Sequence, residues 1–328
     1  MENEKTVLVT GGSGFIGVET CRQLVDAGYA VINIDKKKKE IAGVTQYPFD
    51  ISNSQVKGII ALTRPDAIIH LAAEHEVERS VTEPSDYYWN NVANTIALLN
   101  HAVEAGVKKF IFASSGSVYG NRTTTFGPWA YRKAPFSERE NLNPLSPYSK
   151  SKMIIEGILP DYEAAYGMKF VILRHHNVAG ASKDLKHGYV QKPAKNLIPS
   201  ICKAITHDKT LSVTGNDYDT SDGTCSRDYT HLVDAARAHL DALTYLETKK
   251  SGTFNIGTGL TYTVLQVFDK FEKVIRKKPN YEIVGRRIGD PTISCADIEK
   301  AKTELSWLPQ YTIDDIILDA YNWELKQK

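Results

Sequence analysis

Five short runs in the first half of the chain are apolar through their centres on both alternating faces: Thr6–Thr10, Ala30–Asp35, Ala67–Leu71, Phe110–Ser114 and Phe170–Arg174. A strand without a polar face must be covered on both sides, the condition of a parallel sheet sandwiched between helices. Helical patterns fill intervals between them, at Val18–Ala27, Tyr87–Ala105 and Tyr148–Tyr166, and the last two are followed at once by Gly106 and Gly167. Strand alternating with helix predicts an α/β fold, a doubly wound parallel sheet with right-handed crossovers. After Asn177 the rhythm gives way to polar loops, with one more buried strand at Thr253–Ile256 and one amphipathic helix at Val264–Ile275. The layout expected is a nucleotide-binding domain over residues 1–176 and a smaller α/β C-terminal substrate domain over 177–328. Residues 228–257 are candidates to rejoin the first domain.

Composition enters mainly by exclusion. Forty basic and thirty-nine acidic residues leave a formal charge of +1, so nothing marks a nucleic-acid or anionic-membrane surface. No apolar stretch approaches a membrane span. The start Met1-Glu2-Asn3-Glu4 is acidic, unlike a signal or transit peptide, and Cys21, Cys202, Cys225 and Cys295 form no Cys-x-x-Cys pair. The expectation is a cytoplasmic protein with free thiols and no metal.

The first strand runs into Thr10-Gly11-Gly12-Ser13-Gly14-Phe15-Ile16-Gly17. Glycines here let backbone N–H groups approach a pyrophosphate, and the following helix offers its positive end. Gly-rich turns also occur for purely structural reasons, but this one has a strand before it and a helix after it. Asp35 then ends the second strand, placed to accept hydrogen bonds from the adenosine ribose hydroxyls and to repel a 2′-phosphate. That favours NAD over NADP (Lys36 and Lys37 beside it leave a phosphate role open). Gly11, Gly14, Phe15, Ile16, Gly17 and Asp35 are therefore cofactor candidates, with Asp50 and Ile51 at the adenine edge.

A helix start is legible at Ser146-Pro147-Tyr148, with serine at the cap and proline at the first position. Tyr148 and Lys152, four apart, share one face. A phenol is a poor base at neutral pH, its ordinary pKa being about 10, and the expectation is that the Lys152 ammonium beside it favours the phenolate. Tyr-x-x-x-Lys alone is also an ordinary helix pair. With the glycine loop and Ser114-Ser115 at a strand end it becomes specific.

At these residues the chain resembles the extended short-chain dehydrogenase/reductase family, whose nucleotide domain is a Rossmann sheet, and within it the branch of the UDP-glucose 4-epimerases. The resemblance spans nearly the whole chain. It is carried by Ser114-Ser115-Gly116-Ser117-Val118-Tyr119-Gly120, Ser146–Lys152, Gly215–Tyr218, Asp222–Thr224, Arg227-Asp228-Tyr229 and Arg286–Asp290. It implies Ser115 as catalytic serine, Tyr148 as base and Lys152 as its electrostatic partner, with NAD retained as a prosthetic group. Leu71, Ala72, Ala73 and Asn91 fall on cofactor-lining positions. Asn177, Asn196, Leu197, Arg227, Arg287 and Asp290 fall on positions holding a UDP-sugar. It also implies 4-epimerisation of a UDP-hexose through a transient 4-keto sugar, and a homodimer formed by helices near 85–105 and 148–166.

Several positions depart from that pattern. Sister 4,6-dehydratases place an Asp-Glu pair directly after the catalytic serine, and here stand Gly116 and Ser117, neither of which titrates. Dehydration or decarboxylation of the same 4-keto sugar remains an alternative, and an inert NAD-binding scaffold is one from another class. His75 replaces a lysine reaching the nicotinamide ribose, and His175-His176 replaces Tyr-Phe. Adjacent histidines on a strand point to opposite faces, which argues against a metal pair; His175 is the one expected at the nicotinamide. Ser294 lies where the resemblance puts a hexose-pocket residue, and its small size predicts acceptance of UDP-N-acetylglucosamine. The alternative is an ordinary loop serine. The stretch Asn121–Asn141 is longer than usual and is read as either a surface lid or a substrate loop.

Overall fold

The computed structural model describes residues 4–121, 135–287 and 290–327. Six strands build most of one parallel sheet: β1 (Thr6–Thr10), β2 (Ala30–Ile34), β3 (Val44–Tyr47), β4 (Ala67–His70), β5 (Lys109–Ser115) and β6 (Lys169–His175). The chain then forms three short strands elsewhere, β7 (Asn177–Ala179), β8 (Leu211–Thr214) and β9 (Ser226–His231). After them β10 (Gly252–Ile256) returns to pair with β6. The sheet order is β10-β6-β5-β4-β1-β2-β3, so the winding reverses between β1 and β4, where such sheets open a crevice at their carboxyl ends.

Alternate strand side chains feed two separate cores, which is why both faces read as apolar. Val7, Val9, Ile69, Ile111 and Leu173 join one core with the inner face of α1 (Phe15–Asp26). Leu8, Ile68, Phe110, Phe112 and Ile172 face the other way. That second face is covered by α2 (Gln55–Thr63), α5 (Asn94–Glu104) and α6 (Pro147–Tyr166), while the short α3 (Val77–Thr82) and α4 (Pro84–Tyr88), which run into a π-helical turn (Trp89–Ala93), pack against α6. The sequence reads Tyr87–Ala105 as one regular helix. The π turn interrupts it, and Asn91 within that turn is buried.

Helix α6 starts where Ser146 Oγ accepts the Ser149 N–H at 3.2 Å, with Pro147 at the first position. It stops at Gly167, whose φ of +67° a side chain would strain. Past β6, α7 (Leu197–His207) belongs to a second unit, while α8 (Leu232–Thr248) packs beside α1 on the sheet. In the second unit β9 is flanked by β7, by the antiparallel β11 (Thr261–Thr263), and by β13 (Ile293–Ser294); β12 (Tyr281–Val284) pairs with β8. α7, α9 (Val264–Ile275) and α11 (Ile313–Lys326) close a core of Ile198, Ile201, Phe268, Phe271 and Ile316, and the short α10 (Glu299–Glu304) leans on the main sheet through Ala301. All four cysteines are buried. Among the described residues no helix is long and apolar enough to cross a membrane.

Candidate active site

The glycine loop lies at the switch point. Gly11 has φ +74°, and a Cβ on it would sit 2.6 Å from the Ala72 backbone nitrogen. A Cβ on Gly17 would stand 2.2 Å from the Gly11 carbonyl. These contacts draw the loop, the first turn of α1 and the Leu71-Ala72-Ala73 segment after β4 into one narrow cradle. Gly14 caps α1 without a side chain, so the amides of Phe15, Ile16 and Gly17 belong to a first turn that has no intrahelical acceptors. Asp35 rims the cradle: one carboxylate oxygen accepts the Ser13 N–H at 3.0 Å and the other the Lys37 N–H at 2.8 Å. Lys36 turns away to Glu74 (2.9 Å). Asp50 follows β3 and accepts the Ser52 N–H and hydroxyl; Ile51 beside it is half-buried. An anion-seeking helix end, a side-chain-free floor and a carboxylate at the second strand fit a dinucleotide with free ribose hydroxyls.

At the ends of β5 and α6, Ser115, Tyr148 and Lys152 converge. Ser115 acts on the Tyr148 hydroxyl, lowering its pKa against the effect of burial, and Tyr87 meets the Tyr148 ring edge-on at 6.4 Å. Ser115 Oγ also accepts from the Ser117 hydroxyl (2.9 Å), which in turn accepts from Ser149 (2.8 Å), and Ser149 exchanges a bond with Ser146 (2.9 Å). This file of hydroxyls locks Ser115 to the start of α6. Ser115 and the cap Ser146 carry a sequence signal; the linking role of Ser117 and Ser149 does not.

The expected Lys152–phenol pairing is corrected here. Lys152 Nζ donates to the Ala113 carbonyl at 2.7 Å and lies over the Phe112 ring. Burial raises the Tyr148 pKa, opposed by Ser115, and Lys152 is not among the groups that shift it. Burial also brings the Lys152 pKa down to about 8, against the pull of Glu156. The two residues share a helix face, and the lysine head is spent on the Ala113 carbonyl of β5. Behind them Glu156 accepts from Ser114 and takes both Arg174 Nε (3.1 Å) and Nη2 (2.6 Å). Arg174 continues to the Tyr119 hydroxyl at 2.8 Å, and Tyr119 to Asn255 at 2.7 Å.

Three other expected cofactor residues make protein contacts of their own. Asn91 gives its amide to the Glu74 carbonyl (2.9 Å) and Ser151 (3.0 Å) and accepts the Glu74 N–H (2.8 Å), so it shapes the loop after β4 through the backbone. His75 is exposed and faces Gln191 at 3.4 Å, because Gln191 is itself drawn over by Glu76. His175 sits opposite Ser115 in the β5–β6 register, yet its ring stacks on His239 of α8 at 5.0 Å. Its Nδ1 is buried with no partner among the described residues. His176 turns the other way, its Nδ1 3.2 Å from Ser294 Oγ, so the two imidazoles diverge.

On the substrate side, Asp228 organises the wall. Fully buried, it accepts from Thr258 N (2.8 Å), Thr258 Oγ1 (2.7 Å), Gly259 N (3.0 Å) and Ala296 N (3.2 Å), pinning the segments after β10 and β13 to β9. Ser294 is thereby set in register with Arg227. Arg227 Nη2 is buried without a hydrogen bond among the described residues, 3.6 Å from Asp290. Asn177 donates to the Asp228 carbonyl at 3.2 Å. Asn196 and Leu197 begin α7, with Asn196 exposed and its side chain making no cap bond; Arg287 is exposed as well. Arg122, Trp129, Arg132 and Lys133 of the 121–141 stretch lie outside the described residues.

Comparison with known proteins agrees with this geometry. The profile of the NAD dependent epimerase/dehydratase family matches residues 7–257. A UDP-glucose 4-epimerase of Rhizobium meliloti is 37% identical over 334 residues, covering 100% of this chain and 99% of its own. Among solved structures, a UDP-glucose-4-epimerase from Stenotrophomonas maltophila with bound NAD and formylated UDP-arabinopyranose superposes with a TM-score of 0.91 at 31% identity, covering 99% of both chains. The UDP-Glc/GlcNAc 4-epimerase of Campylobacter jejuni gives 0.82 at 34%, covering 98% of this chain and 99% of its own. The chain belongs to the NAD-dependent epimerase/dehydratase family, and its cofactor is NAD. It is an enzyme of the UDP-sugar 4-epimerase type.

Proposed function

We propose that this protein interconverts UDP-hexoses at C4, taking UDP-glucose and UDP-galactose. The observation that carries the reading is Ser115 acting on the Tyr148 hydroxyl at the ends of β5 and α6, in a chain that also carries the glycine cradle and the Arg227–Asp290 pair. Tyr148 is the group that removes the O4′ proton and later returns it, with Ser115 Oγ aligning the sugar hydroxyl. NAD, when bound, supplies the acceptor and then the donor of the C4′ hydrogen. Arg227, Arg287, Asn177, Asn196 and Leu197 hold the nucleotide diphosphate, through charge-assisted bonds where the arginines meet phosphate. Gly11, Gly14, Phe15, Ile16, Gly17, Asp35, Asp50, Ile51, Leu71, Ala72, Ala73 and His175 hold the dinucleotide, with Lys152 beside the reacting end.

Gly116 favours epimerisation over dehydration. A Cβ on it would stand 2.7 Å from His176 Cε1 and Nε2, so the volume an acidic side chain would need there is filled by imidazole. A small Ser294, itself bonded to His176, supports acceptance of the N-acetylated sugar pair, and the Campylobacter jejuni likeness adds to that. A homodimer through α4–α5 and α6 is part of the proposal: Trp89 is 67% exposed, with Tyr88 and Ile154 also outward. Sedimentation tests the dimer.

The function is tested on purified protein given UDP-glucose and UDP-N-acetylglucosamine, with products followed by NMR. Epimers of unchanged mass are expected. Loss of water or carbon dioxide would assign the sister chemistry, and no turnover with NAD still bound would leave the scaffold.

A further inference from the structure

His176 has no part in the chemistry assigned above, yet it occupies the middle of the site. It is about nine-tenths buried, at the end of β6, and its ring edge presses on the backbone of Gly116, the residue after Ser115. Its Nδ1 is engaged by Ser294 Oγ at 3.2 Å. Its Nε2 is buried and has no hydrogen-bond partner among the described residues. A buried nitrogen left unpaired is costly, so a fold that retains one gains when a ligand supplies the missing partner. The position says which part of a ligand that is. On one side stand Ser115 and Tyr148, on the other Arg227, in register with Ser294. A nucleotide sugar with its diphosphate at Arg227 and its reacting carbon at Tyr148 must lay its hexose ring across His176. Neutral imidazole carries one N–H, and the Ser294 hydroxyl either donates to or accepts from Nδ1. Nε2 thus offers a donor or an acceptor, which suits an alcohol in either orientation.

We propose that His176 reads the hexose, its Nε2 hydrogen-bonding a ring hydroxyl of the bound sugar while Ser294 holds the imidazole in place. The inference rests on the UDP-hexose reading but is tested separately. Glutamine places an amide near the position of Nε2, whereas asparagine places one near Nδ1 and leaves the Nε2 position empty. The experiment measures kcat and KM for UDP-glucose, and calorimetric Kd for UDP-glucose and for UDP alone, in wild type, His176→Gln, His176→Asn and His176→Phe. A neutral hydrogen bond corresponds to roughly a two- to tenfold change. His176→Asn and His176→Phe should lose that factor in kcat/KM and in UDP-glucose affinity, His176→Gln should stay within about twofold of wild type, and UDP affinity should be unchanged throughout. Wild-type behaviour of His176→Asn, or a parallel loss of UDP affinity, would overturn the proposal, because either makes the ring a support for Ser294 or for the wall. If wild type turns over no UDP-hexose, the parent reading fails. The sugar-reading role is then decided by the UDP-glucose Kd relative to that of UDP: a smaller gap in His176→Asn than in wild type upholds it, and an unchanged gap refutes it.

Discussion

Replacing Glu156 by leucine should destabilise the protein sharply, and the structure sets the scale. Arg174 and Glu156 are both buried, their side chains 7% and 5% exposed, and the carboxylate accepts two nitrogens of the guanidinium plus the Ser114 hydroxyl. Removing it leaves a buried cation whose nearest remaining acceptor is the Tyr119 hydroxyl. Breaking a buried pair from one side costs about 3–5 kcal/mol, most of it the uncompensated charge. Unfolding entropy near 60 °C is about 2.1 cal/mol/K per residue, so 328 residues give roughly 0.7 kcal/mol/K and the loss converts to a Tm lowered by about 4–7 °C. Scanning calorimetry on the purified variant measures it. The double variant Glu156→Leu/Arg174→Met carries no orphaned charge and should recover most of that drop. A single variant within 1 °C of wild type, or a double variant worse than the single, would refute the argument.

Tyr148→Phe should lower kcat by about 10²–10⁴, the usual contribution of a positioned proton carrier, and leave UDP-glucose binding intact; full turnover would remove the phenol from the mechanism. Asp35→Ser removes the carboxylate that repels a 2′-phosphate, so the ratio of NAD to NADP affinity should fall by about tenfold or more by fluorescence titration, and an unchanged ratio would clear Asp35 of that role. Stability should decline as pH falls below about 6.5. Burial depresses the pKa of His70 to about 3 and those of His187 and His239 to about 4, so between those values and 6.5 the unfolded chain binds protons that the fold refuses. Each histidine contributes roughly 1.4 kcal/mol per pH unit within that window, and denaturation profiles that coincide at pH 7 and pH 5 would refute the assignment.

How far the residues could be read in advance depended on the range of the forces involved. The strand-and-helix alternation, the glycine loop, and the start of α6 at Ser146-Pro147 were legible because each is a local matter: a segment's periodicity records which of its faces meet other protein, and a cap is made within one turn. Asp35 was legible for the same reason, by its place at a strand end. The direction of the Lys152 side chain was not. Helical spacing puts it on the Tyr148 face, but its bond to the Ala113 carbonyl on β5 is set by tertiary packing. Asn91 looked like a ligand and became a brace, bonded to the Glu74 backbone from within a π turn. The partnership of His176 with Ser294 joins residues 118 positions apart, and the demand for glycine at 116 follows from that imidazole and from nothing adjacent in the chain. Periodicity therefore determined the sheet and where its crevice opens. Which polar atoms meet in that crevice, and which are left waiting for a ligand, was decided only when distant strands packed, since a hydrogen bond is formed or lost over a few tenths of an ångström that no local pattern encodes.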